Sequence, residues 1–401
     1  MALLPVDEAR DRILKGATAL ARENIALHQC AGRVLAADIK AKRDQPPFPA
    51  SAMDGYAVRF ADVGAAPARL KIIGVAPAGH GFRGIVKPGE AVRIFTGAPV
   101  PKGADTVVIQ ENTKARDGYV SINVPAQRLS QHIRRQGLDF AKGHSLLRKG
   151  TLLGAREIGL AAAMNWPELP VIRRPKVAVF TTGDELVSPG QAPKPDQIVS
   201  SNSFALAAFV RRYGGEAVDL GIIPDKINAI SRAIRRAAAA DVLLTTGGAS
   251  VGDHDLVQAA LKEEGIKLDF WKIALRPGKP LMFARSGGRR ILGLPGNPVS
   301  ALVCARIFLK PLIFALLGLP AADDMVKARL GSPLPANDLR QDYLRALIER
   351  SADGTYIATP FPLQDSSMQR ALTEAGGLIV RSPYAPAARE GDLVNLMLLD
   401  F

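Results

Sequence analysis

The sequence predicts a multidomain α/β protein: a central, mostly parallel α/β sheet domain, an N-terminal helical domain with a β-rich domain inserted into it, and a small C-terminal β domain. Three observations predict this. Strand-like and helix-like segments alternate between residues 175 and 320, the pattern of a parallel sheet covered on both faces. Short Val/Ile runs broken by Gly and Pro fill residues 45–148 and return after about 320. The length, 401 residues, exceeds what one hydrophobic core organises, so two to four domains are expected.

Residues 7–22 read as a helix, with Ile13, Leu14, Ala17 and Leu20 at helical spacing. From Gln45 to about Arg148 the strand-like runs are 70–75, 91–95, 106–110 and 119–124. An alanine-rich helical pattern resumes over 150–164, so the N-terminal domain is expected to combine 1–44 with 149–174, and 45–148 to be the insertion. Residues 170–175 read as a linker. In the α/β domain, 175–320, strands are expected at 176–181, 216–223, 241–246, 268–272, 281–284 and 290–294. Helices are expected at 202–213, 225–238 and 253–263, and a further one from Pro298. Short β segments at 343–348 and 378–380 assign 321–401 to the C-terminal β domain.

Composition narrows the function classes. Hydrophobic residues make up 47% and charged residues 22%, which fits a soluble globular protein and argues against disorder. Lys and Arg total 52 against 38 Asp and Glu, a formal net charge of +14 that calls for an anionic partner or serves solubility. The cations are scattered and aromatics reach only 5%, without a stacking stripe, finger or helix-turn-helix, so nucleic acid is not expected. A small phosphorylated or oxyanionic substrate fits better. Cys30 and Cys304 form no disulfide framework or zinc set, and the first residues lack a signal-peptide pattern. The apolar run over 299–319 is broken by Arg306, Lys310 and Pro311, so a buried helix is expected there rather than a membrane span. A cytoplasmic location without a membrane partner follows as the expectation.

In open α/β sheets, ligands bind beyond the carboxyl ends of the strands. Four expected strands end in small, hydroxylated or acidic residues: Thr181 to Leu186, Pro224-Asp225, Thr245 to Asp255, and Pro295 to Ser300. Gly247 and Gly248 permit a tight turn and close approach to a ligand. Ser250 and the amides after it could bind phosphate oxygens at a helix start. Glu185, Asp225 and Asp255 could converge on a hard cation such as Mg²⁺. Each feature also has a plain structural reading: Gly-Gly as a turn, Asp225 as a helix N-cap, Pro298 as a first-turn proline. Their concentration on one edge favours a ligand site. The run from Trp271 to Pro280 adds Lys272, Arg276 and Lys279 around a Pro-Gly turn and reads as an anion-binding loop between strands of the same sheet. In the β-rich block, the proline-rich stretch from Pro46 to Ala57 presents Asp54, and Thr96-Gly97-Ala98-Pro99 is a second turn. None of the five histidines is placed like a triad or zinc ligand.

These motifs match a known family in order. Ala52-Met53-Asp54-Gly55-Tyr56-Ala57, Thr96-Gly97-Ala98, Thr182-Gly183-Asp184-Glu185-Leu186, Gly247-Gly248-x-Ser250-x-Gly252, Pro277-Gly278-Lys279-Pro280 and Pro295-Gly296-Asn297-Pro298-Val299-Ser300 resemble the molybdopterin molybdenumtransferases, the MoeA family, to which the gephyrin E domain also belongs. The resemblance runs from about residue 7 to the C-terminal end. It implies a homodimer of four-domain subunits whose molybdopterin-binding α/β domain is similar to the adenylyltransferase fold. It implies adenylylated molybdopterin and molybdate as substrates, and AMP release with Mg²⁺. By the family pattern, Asp184, Gly247, Gly248, Ser250 and Asp255 would handle nucleotide, pyrophosphate and metal, with Glu185 and Asp225 lining the same pocket. Lys272, Arg276, Lys279, Pro295, Asn297, Pro298 and Ser300 would line the substrate and oxyanion site, with Arg345 and Ser366 or Ser367 opposite. Asp54 and Thr96 would reach in from the partner subunit. Two departures stand out: Arg276 replaces a family lysine, and the Arg134–Asp139 loop lacks one family carboxylate. The competing readings are a molybdopterin adenylyltransferase and a non-catalytic gephyrin-like scaffold.

Overall fold

Strands that are apolar on both faces need helices above and below them, and the segment from Lys176 onward supplies both. The computed structural model describes residues 3–247, 256–320 and 324–401. They divide into two units, Asn24–Val171 and a second comprising the residues up to Glu23 with Ile172–Phe401.

The second unit holds a six-stranded sheet. Its spatial order is Glu216–Ile223, Lys176–Thr182, Val242–Thr246, Arg289–Leu294, Pro280–Ser286, Leu268–Lys272. The first four strands are parallel, and the last two run antiparallel to their neighbours. Ala178 and Phe180 pack on one face with the helices Ile227–Arg236 and Leu256–Glu263. Helices Asn202–Arg212 and Pro298–Cys304 lie against other strands of the sheet. The parallel, doubly covered sheet expected from the sequence is present, with each expected strand within two residues of its predicted ends.

The apolar run forms a helix over Pro298–Leu317, long and apolar enough to cross a membrane, but 78% of it is buried inside the protein. One turn, Ala305–Leu309, widens to a π-helix just before Pro311, whose ring cannot accept the normal i−4 geometry. Arg306 and Lys310 are buried there. Asp324 takes both cations, at 2.8 and 2.5 Å, while Asp400 takes Lys310 at 3.2 Å and the Tyr213 hydroxyl.

After this helix, strands Met325–Leu330, Gln341–Arg350, Tyr356–Pro360, Gly377–Arg381 and Leu393–Leu398 form a second sheet that closes on itself through the Gln341–Arg350 and Gly377–Arg381 pairing. Ala328, Leu330, Ala346, Ile379 and Leu396 fill its interior. Leu275 and Arg276 add a short parallel strand at Gln341 and Asp342. The 271–280 run therefore does not simply join two strands of the α/β sheet; its middle belongs to the C-terminal sheet.

The Asn24–Val171 unit carries a six-stranded sheet ordered Thr106–Ile109, Gly55–Val58, Glu90–Ile94, Ala68–Ala76, Tyr119–Ile122, Thr113–Arg116. Outside it, Cys30, Leu35, Ile39, Phe140, Leu153 and Met164 form a separate core.

Two expected helices are shorter than their apolar spacing predicted. The first covers only Val6–Leu14, because Gly16 adopts φ +70° and Arg22–Ala26 is extended. The other covers Ala155–Ala163, since the backbone of Thr151 and Leu153 is spent on Leu35 and Gly32. Glu157 then caps the amide of Gly154 at 2.9 Å. Residues up to Glu23 fall in the unit with the α/β sheet rather than with 24–44.

Candidate functional site

The parallel register brings four strand ends to one level. Thr182 stands opposite Ile223, Thr181 opposite Thr246, and Thr246 opposite Leu294. Asp184-Glu185, Asp225, Gly247 and Pro295-Gly296-Asn297 therefore leave the sheet side by side. Gly247 has φ +82°, and a Cβ there would sit 2.1 Å from the Thr182 carbonyl oxygen. Only glycine lets these two strand ends approach so closely.

Asp225 is not an N-cap. The cap position of Ile227–Arg236 is Lys226, and the Asp225 carboxylate instead accepts the Thr182 hydroxyl through Oδ1. The Asp225 amide donates to Asp184 Oδ1 at 3.1 Å. Glu185 lines a cavity of about 380 Å³ together with Thr182, Ser200, Asn202, Gly247, Asn297 and Pro298. Asn202 Nδ2 donates to the Gly296 carbonyl at 2.7 Å. Pro298 occupies the first helical turn as expected, but Asn297 does not cap it; its Nδ2 donates to Ser366 Oγ at 2.7 Å. The Val299 amide donates to the Ser366 carbonyl at 3.2 Å, and Gln369 Nε2 donates to Ser201 Oγ at 2.7 Å. The 366–369 segment of the C-terminal sheet region thus forms one wall of the site.

A second cavity of about 650 Å³ shares Gly247, Gly296 and Asn297 with the first, and adds Arg276, Lys279, Pro295, Ser300, Arg340, Asp365 and Ser366. Lys279 is exposed and, among the described residues, has no carboxylate partner. Arg276 is different: its guanidinium pairs with Asp338 at 2.7 Å and Asp342 at 2.9 Å. Arg340 also pairs with Asp338, at 3.2 Å. Asp342 is 7% exposed, and burial pushes its carboxyl above the usual range against the pull of Arg276. Taking Arg276 away would leave a buried carboxylate unpaired, a change that costs about 3–5 kcal/mol. Gly278 has φ +121°, and a Cβ on it would lie 2.6 Å from the Cys304 sulfur, so the turn rests directly on the helix below. The Ser367 hydroxyl holds the Asp365 carboxyl below the usual range, reinforced by the Ser367 amide at 2.8 Å.

Two expected site residues, Lys272 and Arg345, line neither cavity. Lys272 lies over the Trp271 ring at 4.2 Å and lines neither cavity. Arg345 is 1% exposed; its Nε donates to Gln364 Oε1 at 3.2 Å and its Nη1 to the Met368 carbonyl at 3.1 Å, while Nη2 is buried without a hydrogen-bond partner among the described residues. It therefore shapes the 361–368 turn that carries Ser366 rather than facing the cavity. Asp54 and Thr96 belong to the other unit and bond each other: Asp54 Oδ1 accepts the Thr96 amide at 2.7 Å and hydroxyl at 2.8 Å, which hold its carboxyl below the usual range. The Arg134–Asp139 loop packs on Gln45 and Pro46, with Asp139 N donating to the Gln45 carbonyl at 2.9 Å. Gly248, Ser250 and Asp255 lie outside the described residues. Among the described residues, no group of three or more His, Cys, Asp or Glu could hold a metal ion.

Three family descriptions cover the chain in order: the MoeA N-terminal region (domains I and II) over residues 4–165, a probable molybdopterin-binding domain over 178–315, and the MoeA C-terminal region (domain IV) over 327–399. A molybdopterin molybdenumtransferase of Nostoc sp. is 39% identical over 335 residues, covering 81% of this chain and 76% of the relative. The chain belongs to the molybdopterin molybdenumtransferase (MoeA) family. A second relative, molybdopterin molybdenumtransferase 2 of Mycobacterium tuberculosis, is 38% identical and covers 88% of this chain and 89% of its own. The crystal structure of a molybdopterin biosynthesis MoeA protein from Pyrococcus horikoshii has a TM-score of 0.85 at 31% identity, covering 99% of both chains. Transferase chemistry in molybdenum-cofactor biosynthesis is thus the family's activity.

Several residues of this MoeA-family site escaped the sequence reading. Thr182 holds Asp225, Asn202 holds the Gly296 turn, and Asp338 and Asp342 neutralise Arg276. Thr182 was legible as the polar end of an apolar strand. Asp342 could have been flagged as a carboxylate next to the apolar Tyr343-Leu344 at the start of the Gln341–Arg350 strand. Asn202 and Asp338 carry no local signal.

Proposed function

We propose that this chain inserts molybdate into adenylylated molybdopterin and releases AMP with the help of Mg²⁺, completing the molybdenum cofactor. The observation that carries the reading is the pair of adjoining cavities on one sheet edge, one lined by Glu185 and the other by Lys279, which has no carboxylate partner among the described residues. A phosphorylated pterin nucleotide and an oxyanion need this combination, since each brings negative charge to the same place.

The described carboxylates do not by themselves form a metal cluster, but their chemistry is that of hard-cation ligands. Asp184, Glu185 and Asp225 offer only oxygen donors, and among the described residues Asp225 spends one carboxylate oxygen on Thr182 and leaves the other open. Glu185 and Asp225, with Asp255, would hold the metal. Bound there, Mg²⁺ would act as a Lewis acid on the phosphoanhydride and offset charge on the departing AMP. Thr182 orients Asp225, and the bare Gly247 backbone lets a phosphate lie close to the strand ends. Lys279, Ser300, Asn297 and Ser366 would bind the oxyanion by charge-assisted and neutral hydrogen bonds. Arg345 keeps the Ser366 turn in place. Asp54 and Thr96 would complete the site from the partner subunit of a homodimer. On this reading the protein works in the cytoplasm without a membrane partner.

Full-length protein incubated with adenylylated molybdopterin, molybdate and Mg²⁺ should release AMP in proportion to molybdate. A folded protein that shows no molybdate-stimulated AMP release would refute the reading. Adenylylation of free molybdopterin from ATP would replace it with the adenylyltransferase alternative.

A further inference from the structure

We propose that Asp342, with Asp338, is a positioning residue that locks Arg276 as a strap on the Pro277–Lys279 turn, leaving Lys279 rather than Arg276 to meet the oxyanion. The inference rests on the functional reading above and divides labour within it. A forked guanidinium can hold two carboxylates at once, which an ammonium does less well, and Arg276 has two within reach.

Three observations carry it. Arg276 lies within ion-pair distance of Asp338, at 2.7 Å, and of Asp342, at 2.9 Å in a contact without hydrogen-bond alignment, so both carboxylates compete with any anion for its charge. The backbone is tied at the same point: Leu275 pairs with Gln341, Arg276 pairs with Asp342, and the Gln341 amide donates to the Ala274 carbonyl at 2.8 Å. Asp342 is buried, so an oxyanion that captured Arg276 would orphan a carboxylate inside the protein. Arg276, Arg340, Asp338 and Asp342 together sum to zero charge. Lys279, three residues along the same turn, faces the cavity without a carboxylate partner among the described residues.

The sign of one substitution decides the matter. Removing a negative charge beside the cavity should, by simple electrostatics, tighten oxyanion binding. The strap predicts the reverse. Molybdate titrated calorimetrically into full-length Asp342→Asn should bind about tenfold more weakly than into the wild type. In the AMP-release assay, KM for molybdate should rise with little change in kcat, whereas a merely structural defect would lower kcat through loss of folded protein. Asp342→Glu should recover part of the loss, and Arg276→Gln with Asp342→Asn should be no worse than Arg276→Gln alone, because the two act as one unit. Should Asp342→Asn fail to fold, Asp338→Asn, at a side chain 43% exposed, should weaken molybdate in the same direction. Tighter or unchanged molybdate binding in a folded Asp342→Asn or Asp338→Asn protein overturns the strap while the functional reading stands. Wild-type protein that neither binds molybdate nor releases AMP overturns the functional reading itself and the strap with it.

Discussion

The two edges of the six-stranded sheet use the same residue types to opposite ends. At the amino edge, Asp241 is saturated: Arg173 donates to both carboxylate oxygens at 2.6 and 2.8 Å, and the Lys176 amide adds a third bond at 2.8 Å. Arg290, 7% exposed, closes the Val6–Leu14 helix there by donating to the Ile13 and Lys15 carbonyls at 3.1 and 3.3 Å. At the carboxyl edge, among the described residues, Asp225 keeps one oxygen without a partner and Lys279 has no carboxylate partner, while Glu185 borders a cavity. Charge alone does not separate structure from chemistry; unfilled hydrogen-bonding capacity does. A saturated carboxylate stabilises the fold, and an open one waits for a ligand.

The comparison can be broken first at Asp225. Asp225→Ala should lower AMP release on the order of 100-fold or more, as loss of a metal-holding carboxylate does. Its melting temperature should stay close to that of the wild type, and a large fall would put Asp225 with the structural carboxylates. Next comes Lys279→Met, which should raise the molybdate KM about tenfold or more, the value of one charge-assisted contact. An unchanged KM would remove Lys279 from the oxyanion site. The smallest effect belongs to Asp241→Asn, which should cost about 1–2 kcal/mol of stability at neutral pH, discounted because Arg173 is partly exposed, and leave AMP release per folded molecule unchanged.

Asp241 also carries a pH signature. Burial pushes its carboxyl up, but the Arg173 and Lys176 hydrogen bonds outweigh burial and hold it below the usual range. A carboxyl depressed in the folded state stabilises above the unfolded value and loses that contribution as pH falls through the folded one. Denaturant melts of wild type and Asp241→Asn should therefore converge as the pH drops below about 4. A gap that persists at low pH would mean that the pair contributes through packing rather than charge.

The strand order and the strand-end site were largely legible because both rest on local signals. An apolar run ending in Thr-Gly-Asp-Glu or Pro-Gly-Asn announces a strand and the loop that follows it. What stayed hidden was non-local. Nothing near Leu275 indicates that it pairs with Gln341, so the basic run was assigned wholly to the α/β sheet. Nothing around Arg345 distinguishes an arginine facing an anion from one folded back onto Gln364 and Met368. Asp225 illustrates a third case: the helix begins one residue later than the N-cap reading assumed, and that single step frees its carboxylate for Thr182. Helix lengths were overread where glycine at Gly16, or long-range backbone pairing at Thr151, overrode apolar periodicity.

The cations inside the 298–317 helix bear on how the protein can be handled. Arg306 and Lys310 have two counter-charges between them, and one, Asp400, lies next to Phe401. Without Asp400, the two buried cations would share Asp324 alone within a mostly buried apolar helix. Substitutions that remove the Asp400 charge should therefore be avoided when the protein is handled.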